Sequence, residues 1–206
     1  MPTRGCWALA LIIAGGIAAA GCESGSVDYT ATITEQRDQK DRFFRDDANQ
    51  SPVRREDATK FLPLSYFPID ESYSVPAQLA PAPQRDSFTM PTSTGTLREV
   101  ERIGTLRFSL QGQPLQLSAF LEKGSQELFV PFSDQTSGTE TYNAGRYLNL
   151  GPTASGVYLV DFNAAYNPYC YYNAEYECPL PPAENRLPLP VRAGERMRQP
   201  DPNVPR

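Results

Sequence analysis

The apolar residues beyond Phe61 fall in short runs that proline and glycine interrupt. In the runs 106–110 and 115–121, every second residue is apolar. Because successive side chains of a strand point to opposite faces, this alternation predicts strands with one buried face. The same pattern predicts eight strands in all: Ser72–Ala77, Ser87–Met90, Leu97–Ile103, Leu106–Leu110, Leu115–Glu122, Glu127–Ser133, Arg146–Leu150 and Val157–Phe162.

Short turns connect the strands, and they decide the fold class. The segments 111–114 and 123–126 have compositions typical of hairpins, and no helix separates the strands as a parallel crossover requires. We therefore expect a mainly β domain, either an antiparallel β-sandwich or a partly closed barrel. One N-terminal helix is expected before it, over Tyr29–Asp47 with Thr34 as N-cap. A Pro-rich, extended C-terminal segment is expected after it, over Pro179–Pro190.

The first 22 residues have the pattern of a lipoprotein export signal. Arg4 provides a basic start, Trp7–Ala20 is apolar, and small residues at 19–21 precede Cys22 as a cleavage site requires. The alternatives are an ordinary cleaved signal and a retained transmembrane helix, which is disfavoured because the apolar run is shorter than the roughly 20 residues that span a bilayer. The mature protein is expected to begin at Cys22 and to be anchored to a membrane by acyl chains such as palmitate.

This interpretation divides the chain and predicts its location. Residues 1–21 are the signal peptide, 22–48 a lipidated tether and helix, 49–196 the β domain and 197–206 a disordered tail. We expect a cell-envelope protein that faces the periplasm or the exterior. Glu23, directly after the cysteine, favours the outer membrane where the cell has two membranes.

Charge and the absence of histidine exclude several classes of function. Without Arg4, the mature chain has 18 basic and 24 acidic residues, a formal charge of −6, so neither nucleic acid nor an anionic membrane surface is an expected partner. The chain has no histidine, which excludes Ser-His-Asp triads, Cys-His dyads and histidine metal sites. No cofactor or resident metal is expected, and any catalysis would depend on carboxylates, tyrosine, lysine, arginine or an oxygen-bound ion.

Four cysteines are present, of which two remain for the folded domain. Cys6 leaves with the signal and Cys22 carries the lipid, so Cys170 and Cys178 remain in an oxidising compartment. We expect these two to form a disulfide, and the alternative is two separately buried thiols. A zinc site is less favoured, because it would lack both a second cysteine pair and a histidine.

Two segments carry a resemblance to a known family. They are Phe132–Leu148, FSDQTSGTETYNAGRYL, and Asp161–Glu195, DFNAAYNPYCYYNAEYECPLPPAENRLPLPVRAGE. Both resemble an uncharacterised bacterial and archaeal family, the domain of unknown function 1684, and the resemblance extends from Glu35 to Glu195. It implies a shared fold and carries over no activity, substrate or catalytic residue.

The same two segments are the richest in polar side chains. If they converge, their carboxylates, amides and arginines would form a pocket for a polar ligand or a hard cation such as Ca²⁺. Alternatively, the groups cap turns, Arg146 pairs with Glu140 or Glu184, and the rest satisfy the backbone of irregular loops. The candidate residues are Asp134, Glu140, Tyr142, Arg146, Asp161, Asn163, Tyr166, Asn167, Glu184, Asn185 and Arg186.

A cluster of aromatic residues accompanies these polar groups, because five of the 11 tyrosines lie between Tyr166 and Tyr176. Exposed rings could stack on sugars or line a peptide groove. Buried rings would instead pack the loop 170–178 onto the sheet.

Two functions from different classes fit these features. The first is a non-enzymatic, lipid-anchored envelope protein that binds a small polar ligand or an envelope protein. The second is a carboxylate-based enzyme such as a glycan hydrolase, which requires two carboxyl groups that face one cleft at about 5–5.5 Å or 6.5–9.5 Å. The carboxylates available for it are Asp134, Glu140, Asp161 and Glu184.

Overall fold

A computed structural model describes residues 28–198 of the chain. Helix α1 spans Tyr29–Asp46, which confirms the predicted N-terminal helix. Its N-cap is Asp28, whose carboxylate accepts the backbone N–H of Ala31 at 3.2 Å, and not Thr34. The Thr34 hydroxyl donates to the carbonyl of Thr30 at 2.7 Å inside the helix, because a threonine can bond to the preceding turn as well as cap.

Six antiparallel strands form one sheet in the order β5-β4-β3-β2-β1-β6. The sheet curls into a half-barrel, so the mainly β class is confirmed in its partly closed barrel form rather than as a sandwich. The strands are β1 Ser74–Pro91, β2 Leu97–Leu110, β3 Gln113–Leu121, β4 Leu128–Phe132, β5 Arg146–Leu150 and β6 Val157–Asp161. Two short helices, α2 Ala58–Phe61 and α3 Tyr169–Tyr172, lie in the connections.

The sequence pattern predicts eight strands and the structure has six, because β1 and β2 each combine two of the predicted strands. The β1–β2 pairing shifts register between Pro81 and Asp86, and the β2–β3 pairing shifts register between Arg102 and Gly104. A Cβ at Gly104 would lie 2.3 Å from the carbonyl oxygen of Ala80, so only glycine allows this close approach. Proline and glycine therefore mark bulges in two long strands where the sequence pattern suggests strand ends.

The core lies inside the curl of the sheet. Buried side chains of all six strands meet there, and every second residue of the C-terminal segment joins them. These C-terminal residues are Leu187, Leu189, Val191 and Ala193. The segment contributes apolar burial as a strand would, although within residues 28–198 its backbone forms isolated bridges with residues outside the strands, such as Ser133 with Arg186.

Several predictions fall outside the described residues. The signal peptide, Cys22 and all but the first two residues of the tail 197–206 belong to this group and stay predictions. Within residues 28–198, no helix is long and apolar enough to cross a membrane.

Candidate functional site

Arg146 fastens the C-terminal segment to the sheet. It is buried at the start of β5, and its guanidinium donates to Asp134 Oδ2 at 2.9 Å, to the Val191 carbonyl at 2.8 Å and to the Glu195 carbonyl at 3.0 Å. A fourth hydrogen bond goes to the carbonyl of Ala193. Burial lowers the pKa of Arg146, and Asp134 opposes this shift. The two terminal nitrogens of the guanidinium therefore bond to the chain itself, whereas the buried Nε has no hydrogen-bond partner among residues 28–198.

Asp134 is likewise used by the fold. Its Oδ1 accepts the backbone N–H of Thr136 at 2.7 Å, the Thr136 hydroxyl at 2.6 Å and the backbone N–H of Val191 at 3.2 Å. The side chain is buried. Of the two predicted roles, these contacts correspond to satisfying an irregular loop, and they leave no carboxylate oxygen free for a ligand.

Asp161 and Asn163 lie together at the end of β6, where they dock the start of α1. Asp161 accepts the Asn163 backbone N–H at 2.9 Å and the Tyr29 hydroxyl at 2.9 Å. Asn163 Nδ2 donates to the carbonyl of Asp70 at 2.8 Å. Burial, with Asp161 as the next cause, raises the pKa of Tyr29 to about 12.

Glu195 is a buried carboxylate that sequence reasoning missed. It accepts the Tyr172 hydroxyl at 2.6 Å and the backbone N–H of Asn167 at 2.7 Å, and it forms an ion pair with Lys40 on α1. Asn167, a predicted site residue, thus contributes its backbone here. The only sequence signal for Glu195 is its place at the end of the segment that carries the family resemblance.

The remaining candidates occupy separate places. Glu140 pairs with Arg192, and Glu184 pairs with Arg102. The ring of Tyr142 contacts that of Tyr171 in a tilted arrangement, with 5.3 Å between centroids. Asn185 is buried and bonds to the backbone of Ser118 and Pro131, whereas Arg186 is exposed.

The structure therefore brings Asp134 together with Arg146, and Asp161 with Asn163, but it does not gather the eleven candidates in one pocket. The four carboxylates considered for a hydrolase engage four different partners: Arg146, Arg192, Tyr29 and Arg102.

The predicted disulfide is wrong, because Cys170 and Cys178 are free, buried thiols. The contact between them is a hydrogen bond, in which the backbone N–H of Cys170 donates to Cys178 Sγ at 3.1 Å. The two thiols also interact with each other. The hydrogen bond that the Cys178 thiol donates to Cys170 lowers the pKa of Cys170 to about 7 and raises the pKa of Cys178. Both side chains pack among Phe129 and Tyr147.

Beside these thiols lies an open cavity of about 580 Å³, the aromatic groove. Residues from α1, β2, β4 and β5 and from the segment 166–179 meet there. Its lining consists of Lys40, Arg98, Glu122, Phe129, Tyr147, Asn149, Tyr166, Pro168, Tyr169, Tyr176, Glu177, Cys178 and Pro179. Its size lies within the range of about 300–1,000 Å³ that is usual for small-molecule sites.

The rings of the aromatic groove hold one another in place. Phe129 and Tyr147 are 4.8 Å apart between centroids, Tyr147 and Tyr166 5.7 Å, and Tyr169 and Tyr176 5.3 Å, all nearly perpendicular. Edge-to-face pairs of this kind are favourable and directional. The aromatic surface is thus formed by the fold before any ligand arrives.

Hydroxyl groups fix two of these rings further. Tyr147 donates to the carbonyl of Pro179, and Tyr166 donates to Asn149 Oδ1 at 3.2 Å. Burial raises the pKa of both tyrosines far above the ordinary value. Since Oδ1 of the exposed Asn149 is engaged, its amide nitrogen is the group that remains to donate to a ligand.

Sequence reasoning found only part of the aromatic groove. The tyrosine cluster predicted Tyr166, Tyr169 and Tyr176, and left open whether they pack or bind. Their rings pack edge to face, as the packing alternative predicts, and they also line an open cavity. Lys40, Arg98 and Asn149 come from distant parts of the chain, whereas Glu177 directly follows Tyr176. No local motif identifies any of the four.

Two comparisons with known proteins return matches. The model of the family described as "Protein of unknown function (DUF1684)" matches residues 59–196. The chain is also similar to an uncharacterized protein of Haloarcula marismortui, solved by solution NMR, with 39% identity over 82% of this chain and 94% of that one and a TM-score of 0.66. No curated protein matches the chain.

Proposed function

We propose a binding function for this chain, which belongs to DUF1684, a family of proteins of unknown function. In this proposal, the β domain holds a small polar ligand in the aromatic groove, and a lipid at Cys22 keeps the protein at a membrane of the cell envelope. The observation that carries the proposal is the groove itself, with five aromatic rings oriented by mutual contacts and a cavity of about 580 Å³. Sites for small molecules typically combine aromatic walls with fixed polar groups, and this groove has both.

Lipid anchoring rests on the sequence that precedes the described residues. Cys22→Ala should abolish incorporation of a fatty-acid analogue in metabolic labelling and leave the precursor uncleaved, because the modified cysteine is also the cleavage point. Cys6→Ala is the matched control and should label as the parent does. Equal labelling of the Cys22 variant would remove this part of the proposal.

Binding in the aromatic groove can be tested with three small probes: choline, N-acetylglucosamine and acetate. The full chain is held in a polyoxyethylene detergent, which offers neither sugar nor charge, and binding is followed by NMR. We expect at least one probe to shift the resonances of Tyr147, Tyr166 and Tyr176, with a dissociation constant of about a millimolar for so few atoms.

Tyr176→Ala should weaken that probe about tenfold, because the variant removes one wall of the groove. Tyr158→Ala, at a half-buried tyrosine of β6 outside the groove, should leave binding unchanged. If no probe shifts the groove resonances, or if both variants have the same effect, the proposed function is wrong.

A further inference from the structure

The charged side chains that line the aromatic groove are not all paired. Lys40 pairs with Glu195, and Arg98 pairs with Glu122 at 3.0 Å. Glu177 forms no ion pair within residues 28–198. The lining and its partners therefore have one uncompensated negative charge, on the side of Tyr176.

The carboxylate of Glu177 is held through only one of its two oxygens. The hydroxyls of Thr94 and Thr96 both donate to its Oε2, the first at 3.0 Å, and these bonds lower its pKa. Its Oε1 accepts no hydrogen bond within the described residues. An ionised group that is fixed in this way and exposed can approach a ligand without first losing an internal partner.

The aromatic faces of the groove already accept an ammonium group elsewhere in the cavity. Lys40 Nζ lies 4.8 Å from the centroid of the Tyr166 ring, an ordinary cation–π distance. Tyr169 and Tyr176 have no such cation among residues 28–198. These two rings line the same cavity as Glu177.

We propose that the ligand of the aromatic groove is a small organic cation, an ammonium group that contacts the Tyr169 and Tyr176 rings and pairs with Glu177. This inference rests on the proposed function, since it names the class of ligand for the same groove. Aromatic rings beside a carboxylate are a recurring way to bind quaternary and alkylated ammonium groups. The chemistry is shared by free amines and by the choline headgroup of a lipid.

The test compares choline with 3,3-dimethylbutan-1-ol, which has the same shape and no charge. Titrations of the full chain in polyoxyethylene detergent should show choline binding at least about fivefold more tightly than the neutral alcohol. Glu177→Gln should weaken choline about fivefold and leave the weak binding of the alcohol unchanged. Glu175→Gln removes the same charge from the same loop, outside the groove lining, and should alter neither.

Three results would overturn the inference: equal binding of choline and the alcohol, equal effects of the two glutamate variants, or no binding of choline. If choline fails while N-acetylglucosamine binds in a Tyr176-dependent manner, the proposed function survives and the cation does not. If every probe fails, both fall. Dihexanoyl phosphatidylcholine below its micelle concentration separates the sources: tighter binding than choline supports a lipid headgroup, and weaker binding supports a free amine.

Discussion

Replacing Arg146 with alanine should lower the free energy of unfolding by about 3–5 kcal/mol, because the change breaks a buried ion pair and leaves Asp134 charged without its partner. The guanidinium is fully buried and donates to Asp134 and to three backbone carbonyls of residues 191–195. Its loss also leaves these carbonyls unsatisfied inside the protein, which adds to the cost. Denaturant melts of the chain that begins at Glu23 measure the effect.

Two further variants identify the cause. Arg146→Lys keeps the positive charge but cannot reproduce the planar fork of donors, so it should recover only part of the loss. Arg192→Ala breaks the exposed pair with Glu140 and should leave the denaturation midpoint close to that of the parent. A loss below about 1 kcal/mol for Arg146→Ala would show that the C-terminal segment does not depend on this side chain.

The strands could be predicted because each apolar residue indicates, at its own position, which face of the strand is buried. Leu106, Phe108 and Leu110 are all buried, as their alternation indicates. Strand ends could not be located in the same way, since Pro81 lies at a register shift inside β1 and not at a strand end. Proline disrupts a ladder whether the strand stops or bulges, and only the neighbouring strand distinguishes the two cases.

The partners of the polar residues could not be predicted, for a different physical reason. Arg146 finds three of its four acceptors on backbone carbonyls about 45 residues away, and every residue type has a carbonyl. Glu195 reaches Lys40 across 155 positions. A buried charged side chain requires a partner, but which residue becomes its partner depends on the topology of the fold.

The aromatic groove lies between these extremes. Its tyrosines are concentrated in one short segment and could be found from composition. Its charged members are single residues on α1, on β2, directly after β3 and in the loop before Pro179. The curvature of the sheet brings them to one cavity, and this curvature cannot be predicted from any local sequence pattern.

Raising the pH above 10 should unfold the protein cooperatively. Burial raises the pKa of Tyr66, Tyr147, Tyr166 and Tyr172 far above the ordinary tyrosine value. An unfolded tyrosine loses its proton near pH 10, whereas these four keep theirs while the chain is folded. Above pH 10 the unfolded state therefore binds fewer protons than the folded state, and the free energy of unfolding falls as the pH rises. Below pH 10 these tyrosines are protonated in both states and do not lower the free energy of unfolding.

Each such tyrosine contributes a slope of up to about 1.4 kcal/mol per pH unit, so four contribute up to about 5.5 kcal/mol per pH unit. Since domains are stable by about 5–15 kcal/mol, unfolding should be complete within roughly one to three pH units above 10. The absorbance of these tyrosinates and the circular dichroism should therefore change together. Tyr166→Phe removes one of the four protons that only the folded state retains, so it should reduce the pH dependence of the free energy of unfolding by about 1.4 kcal/mol per pH unit. If the four tyrosines ionise near pH 10 while the circular dichroism stays native, their hydroxyls are accessible in the folded protein. The burial of these side chains is then wrong, including that of Tyr147 and Tyr166 in the aromatic groove.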